Sequence, residues 1–247
     1  MSDTLRPNSS DDNQGAQPLY VPIKRRSFFM YAGATAGATA LLLTGCKDDD
    51  DSSIDAKTTV DVGVGDVGVL NYAYALEQLE AAFYAEVLKG GYFTGLAPAA
   101  AERQIFADIA LHEQIHADFF KTALAGNAIK ALTPNFSAIN FGDRTSVLTS
   151  ARAFEDLGVA AYNGAGRFIT DPKFLVVAGK IVSVEARHAA IIRDLITPNS
   201  FVANDVIDFS TTSATARQER SKLPAEVLAV ANTFLAESSK VSAKSLV

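Results

Sequence analysis

Tryptophan is absent from this 247-residue chain, cysteine occurs once, methionine twice and histidine three times. A single cysteine cannot close an internal disulfide, so the fold is not a disulfide-stapled scaffold. The same scarcity argues against thiolate-bound zinc or copper. The body of the chain has no block of Lys and Arg and the net charge is −6. Nucleic acid is therefore not expected as a partner, because phosphate binding needs clustered cations. No apolar run reaches the roughly 20 residues that a membrane-crossing helix requires. Alternating strand patterns joined by hairpin turns are lacking as well. What is present is 48% hydrophobic residues against 20% charged, enough for one domain with a sizeable core.

The lone cysteine sits at a marked place. In KRRSFFMYAGATAGATALLLTGC, Arg25 and Arg26 precede Phe28, Phe29 and a short apolar run ending at Leu43. A basic start, an apolar middle and small residues at the cut form a secretory signal. The paired arginines resemble the twin-arginine class, and Leu43-Thr44-Gly45-Cys46 resembles a bacterial lipobox in which Cys46 is lipidated. Residues 1–46 are therefore expected to be an export leader and signal peptide, and the acidic stretch 47–65 a flexible tether. The expected location is outside the cytoplasm, as a lipoprotein anchored in a membrane through Cys46 and facing the periplasm or the cell exterior.

From Asp66 the pattern turns helical. The spacing predicts a first helix from Asp66, as N-cap, to Leu88, stopped by Gly90-Gly91. A second runs from Pro98 to Leu124, a third from Ser146 to Thr170, and a fourth from the Asp171-Pro172 start to Ile196. Short links join the first to the second and the third to the fourth, while the long stretch Asn127 to Arg144 separates the pairs. An all-α, four-helix bundle with one long crossover between helices 2 and 3 has ferritin-like connectivity. The bundle is expected over 66–197. Within 198–247, LPAEVLAVANTFLAE predicts one short C-terminal helix headed by Pro224 and no chemical role.

The two helix pairs repeat one another. ALEQLEAAFY (75–84) aligns without a gap on AFEDLGVAAY (153–162), and HEQIHADFF (112–120) on VEARHAAII (184–192). Glu77 falls on Glu155, Tyr84 on Tyr162, Glu113 on Glu185 and His116 on His188. Each half thus offers a lone glutamate with a tyrosine seven residues on, then Glu-x-x-His. Residues three apart on a helix share a face, so glutamate and histidine can reach one point. Turned inward, four carboxylates and two imidazoles converge at the bundle centre, and burying those carboxylates unpaired costs several kcal/mol per ion. Two divalent cations, bridged by carboxylates and each capped by one imidazole, remove that cost.

Residues 66–196 resemble the ferritin-like superfamily, and within it the bacterial and fungal ferritin-like domains related to plant desiccation-associated proteins, on phrases such as LEQLEAAFY and VEARHAAIIR. The resemblance implies that Glu77, Glu113, His116, Glu155, Glu185 and His188 are the ligands of two metal ions. Four other residues are candidates for a supporting role. Glu80 competes with Glu77 but falls on Gly158 in the repeat. His112, one turn before His116, falls on Val184 and reads first as a surface histidine. Tyr84 and Tyr162 are candidate hydrogen-bond donors to ligand carboxylates, or else core aromatics with a polar handle.

Carboxylate and imidazole ligands suit iron and manganese. The expected activity is an oxidoreductase acting on oxygen, peroxide or ferrous iron (ferroxidase, peroxidase or manganese-catalase-like). The alternatives are non-catalytic metal sequestration and a stress- or desiccation-related role. Expected partners are metal ions, a small oxidant and the membrane through Cys46, with a homodimer as a further candidate.

Overall fold

A computed structural model describes residues 59–212 and 218–246. The expected export leader, the lipobox cysteine Cys46 and the tether as far as residue 58 lie outside the described residues. Among the described residues six α-helices follow in chain order: α1 Gly65–Lys89, α2 Gly91–Gly95, α3 Ala101–Leu124, α4 Arg144–Ala165, α5 Pro172–Ile196 and α6 Pro224–Ala231. α1 packs mainly on α3 and α4 on α5, as two helical hairpins, and residues 128–143 cross between them. The expected four-helix bundle with one long crossover and a short C-terminal helix is the observed architecture. No helix among the described residues is long and apolar enough to cross a membrane.

Local chemistry sets the helix ends. Asp143 and Asp171 each accept a backbone amide of the first turn they start, from Ser146 at 2.7 Å and Lys173 at 2.8 Å. α4 therefore begins two residues before the expected Ser146. It ends at Ala165 rather than Thr170, where a 3-10 turn, Gly166–Phe168, tightens the chain into α5. α3 starts at Ala101, not Pro98. α2, Gly91–Gly95, lies in the link ahead of it, and Arg103 donates to the Phe93 carbonyl at 2.8 Å to hold that link against the helix.

Asp66 is not the N-cap of α1. The chain enters the helix through Gly63 and Gly65, both in the left-handed region at φ 89° and 60°. The Asp66 carboxylate reaches the α4–α5 corner instead, accepting from the amides of Thr170 and Asp171 at 2.7 and 2.8 Å and from the Thr170 hydroxyl at 2.9 Å. Nor is the last part of the expected tether loose. β1 (Val60–Asp61) pairs in parallel with β2 (Val241–Ser242), and Val62 is buried.

α1 is buried on nearly every side from Gly68 to Tyr84, as its scarcity of charge requires. The crossover supplies one cover. The amides of Ile129 and Leu132 donate to the side chains of Asn71 and Gln78, each at 2.9 Å, pinning it along two turns of α1. The C-terminal extension supplies another. Asn135 and Ala236 exchange backbone hydrogen bonds with Phe234 and Thr133, joining the extension to the crossover. The Lys222 amide donates to the Ala160 carbonyl of α4 at 2.9 Å. Gly164 makes this approach feasible, because a Cβ there would run into the Lys222 carbonyl.

Candidate metal centre

Each of the four long helices sends its polar stripe to the bundle centre. Glu77 comes from α1, Glu113 and His116 from α3, Glu155 from α4, and Glu185 and His188 from α5. All four carboxylates are 0% exposed, and both imidazoles are buried. The six residues form two overlapping groups, Glu77, Glu113, His116 and Glu185 on one side and Glu113, Glu155, Glu185 and His188 on the other. Within each group the potential ligand atoms lie within 4.8 Å of one another.

The atoms divide by role. His116 Nδ1 lies 3.5 Å from Glu113 Oε2 and 2.8 Å from Glu185 Oε1. His188 Nδ1 lies 2.7 Å from Glu113 Oε1 and 3.4 Å from Glu185 Oε2. Glu113 and Glu185 thus each turn one oxygen to either side. Glu77 Oε2 and Glu155 Oε2 face one imidazole each, at 3.3 and 3.5 Å. The remaining oxygens of these two glutamates accept hydroxyl hydrogen bonds, Glu77 Oε1 from Tyr162 and Glu155 Oε1 from Tyr84.

Neither tyrosine serves the glutamate of its own helix. Seven residues are about 10 Å of helix rise, too far for a bond within one helix, so the bond is made across the pseudo-two-fold between α1 and α4. Both oxygens of Glu113 and of Glu185, one oxygen each of Glu77 and Glu155, and Nδ1 of both histidines have no hydrogen-bond partner. The nitrogen–oxygen approaches are short but badly directed for ring N–H donation, so these lone pairs converge on points between the groups. Buried oxygens and nitrogens left in this way are costly. Metal binding would answer that cost, and the donor set suits a hard or borderline divalent ion.

Protonation follows the crowding. Burial pushes Glu77 well above the usual carboxylate range, and the charge of Glu185 adds to it. Burial also raises Glu155, to about 8. Against the same burial, the nearby imidazoles of His116 and His188 hold Glu113 down at about 2. Burial alone lowers an imidazole, yet the carboxylates around His116 and His188 outweigh it and hold both at about 12. The metal-free centre therefore stores protons where cations can replace them.

Glu80 is buried but belongs to neither group. Its carboxylate occupies the space left by Gly158; burial raises it well above the usual carboxylate range, and the charges of Glu113, Glu77, Glu185 and Glu155 add to that. His112 is not merely a surface histidine. Its Nδ1 lies 2.9 Å from His188 Nε2, so all three histidines of the chain meet here. A cavity of about 310 Å³ lies between the α4–α5 pair and the extension near Asp156, Arg193 and Phe201, and none of the six residues lines it. A smaller apolar one, about 20 Å³, adjoins Tyr162, among Tyr72, Leu76 and Phe120.

Fold and site together define a four-helix protein with a buried carboxylate–imidazole cluster at its centre. Residues 65–198, more than half of the chain, match the family model of the ferritin-like domain, and the chain belongs to that family. No curated protein matches it.

Proposed function

We infer that the cluster is built for two metal ions, iron or manganese: Glu113 and Glu185 would serve both positions, Glu77 and His116 would complete one and Glu155 and His188 the other. One observation carries this reading: Glu113 and Glu185 each present one unpaired oxygen to either side of the centre. A mononuclear site needs no such pair of doubly exposed carboxylates. When bound, the ions supply one-electron redox chemistry toward oxygen, peroxide or ferrous iron. The protein's own part is to position and shield. Tyr162 and Tyr84 lock Glu77 and Glu155 so that one oxygen of each faces inward, and the buried surroundings exclude bulk water. The small apolar cavity beside Tyr162 has room for about one water-sized molecule, which favours a small oxidant over an organic substrate.

The motif around Arg25, Arg26 and Cys46 supports the further reading of an exported, lipid-anchored protein that works outside the cytoplasm. The test is expression with iron or with manganese, followed by metal content per chain and by oxygen and peroxide consumption. Two ions per chain with consumption of either oxidant is the expected result. Two ions with neither oxidant consumed assigns the protein to metal sequestration, and no bound metal overturns the reading.

A further inference from the structure

The six candidate ligands match between the two halves, and two ionisable residues beside them have a counterpart without a polar side chain: Glu80 opposite Gly158, and His112 opposite Val184. Glu80 belongs to neither group of potential ligands, and its carboxylate sits against Gly158. His112 touches only one. Its Nδ1 is 2.9 Å from His188 Nε2, while the ring centroids are 5.2 Å apart with planes inclined by 23°. Nitrogens this close with centroids this far apart place the rings edge to edge, nearly coplanar, so the contact is an in-plane hydrogen bond rather than a face-to-face stack. His188 turns Nδ1 to the carboxylates. With that nitrogen as a lone pair, Nε2 carries the hydrogen and donates it to His112 Nδ1, and the second His112 nitrogen faces outward on an exposed side chain. In the other half the corresponding residue is Val184, whose side chain has no donor or acceptor. The outer nitrogen of His116 has no such partner among the described residues.

We propose that His112 makes the two metal positions unequal: by fixing His188 through its outer nitrogen, it causes the half built from Glu113, Glu155, Glu185 and His188 to bind its ion first and more tightly. The proposal rests on the metal reading above. A hydrogen bond to the far nitrogen of a ligating imidazole sets its tautomer and orientation and raises its basicity, and losing such a partner costs about 10- to 100-fold in metal affinity. His112 is thus a positioning residue, one that acts on the ion through His188.

The experiment is a titration of chelator-treated protein with Mn²⁺ alone, following free Mn²⁺ by electron paramagnetic resonance. Wild type binds in two steps separated by at least about tenfold. His112→Val installs the residue found at the matching position of the other half. It weakens the tighter step by about 10- to 100-fold, leaves the weaker step in place and merges the two. Two backgrounds assign the half. Glu77→Gln removes a ligand from the His116 half only, so adding His112→Val must weaken the one ion that remains. Glu155→Gln removes a ligand from the His188 half only, and there His112→Val must leave the remaining ion unaffected. A merely structural role for His112 cannot produce that split.

Unchanged melting temperatures of the metal-free variants confirm that folding is not the cause. Equal steps in wild type, no effect of His112→Val, or equal weakening in both backgrounds overturns the proposal while leaving the dinuclear reading intact. Wild type that binds no Mn²⁺ removes both.

Discussion

Glu77 and Glu80 lie one turn apart on α1, both buried, and helical spacing cannot choose between them. The internal repeat could, because Glu77 has a carboxylate as its counterpart and Glu80 has Gly158. Glu77 lies in one of the two groups that could hold a metal ion, and Glu80 in neither. Glu185 serves both groups. Glu185→Ala is therefore expected to empty most of the centre, whereas Glu80→Ala retains its ions, measured as metal per chain after expression in metal-supplemented medium. Equal occupancy in the two variants overturns the assignment. The tyrosines were only half legible, since the seven-residue spacing marks the face but not the partner on the opposite helix. Tyr162→Phe leaves Glu77 Oε1 buried without its donor, a loss of about 1–3 kcal/mol that denaturant unfolding reads directly. His112 was the least legible of the site residues, because a histidine followed four residues later by another fits an exposed face as well as a contact with a ligand.

Among the elements, the long helices were legible because each has ten or more residues of apolar period and a recognisable stop. α2 and the β1–β2 pair were not. One-turn helices and two-residue strands carry no period, and the partners of β1 lie at the far end of the chain. The same holds for the extension, whose role follows from where its backbone rests rather than from any motif. That contact can be tested at two glycines of the bundle. At Gly164 of α4 an added Cβ meets the Lys222 carbonyl, whereas at Gly179 of α5 it meets nothing within 4 Å. Gly164→Ala is expected to cost about 1–3 kcal/mol by overpacking and to loosen the extension. Gly179→Ala should stabilise by up to about 1 kcal/mol through helix propensity. Urea unfolding of both variants checks the pair, and loss of the same stability from each would show that the extension does not bear on α4.

At the scale of the whole molecule, the centre couples folding to protons, and on the proposed reading to metal as well. In the metal-free protein Glu77, Glu80 and Glu155 are raised from an ordinary value of 4.5, and His116 and His188 from 6.5. A group raised on folding loses its proton first in the unfolded chain. Between its two values the folded state therefore holds the extra proton, and stability falls as pH rises. The raised glutamates begin this decline above about pH 4.5 and the histidines add to it above about 6.5. Glu113, held at about 2, acts in the opposite sense, and its contribution is lost only as pH falls below about 4.5. With EDTA present, the melting temperature should consequently peak near pH 4.5–5 and decline toward pH 8. Bound cations reverse the slope, because they require deprotonated ligands and bind the folded chain preferentially. With excess Mn²⁺ the melting temperature should rise across the same window, and the two curves should approach one another at the acid end. Parallel curves would mean that protons and metal do not compete for the same buried atoms, and the carboxylates of α1, α3, α4 and α5 would then need a different explanation for being buried together.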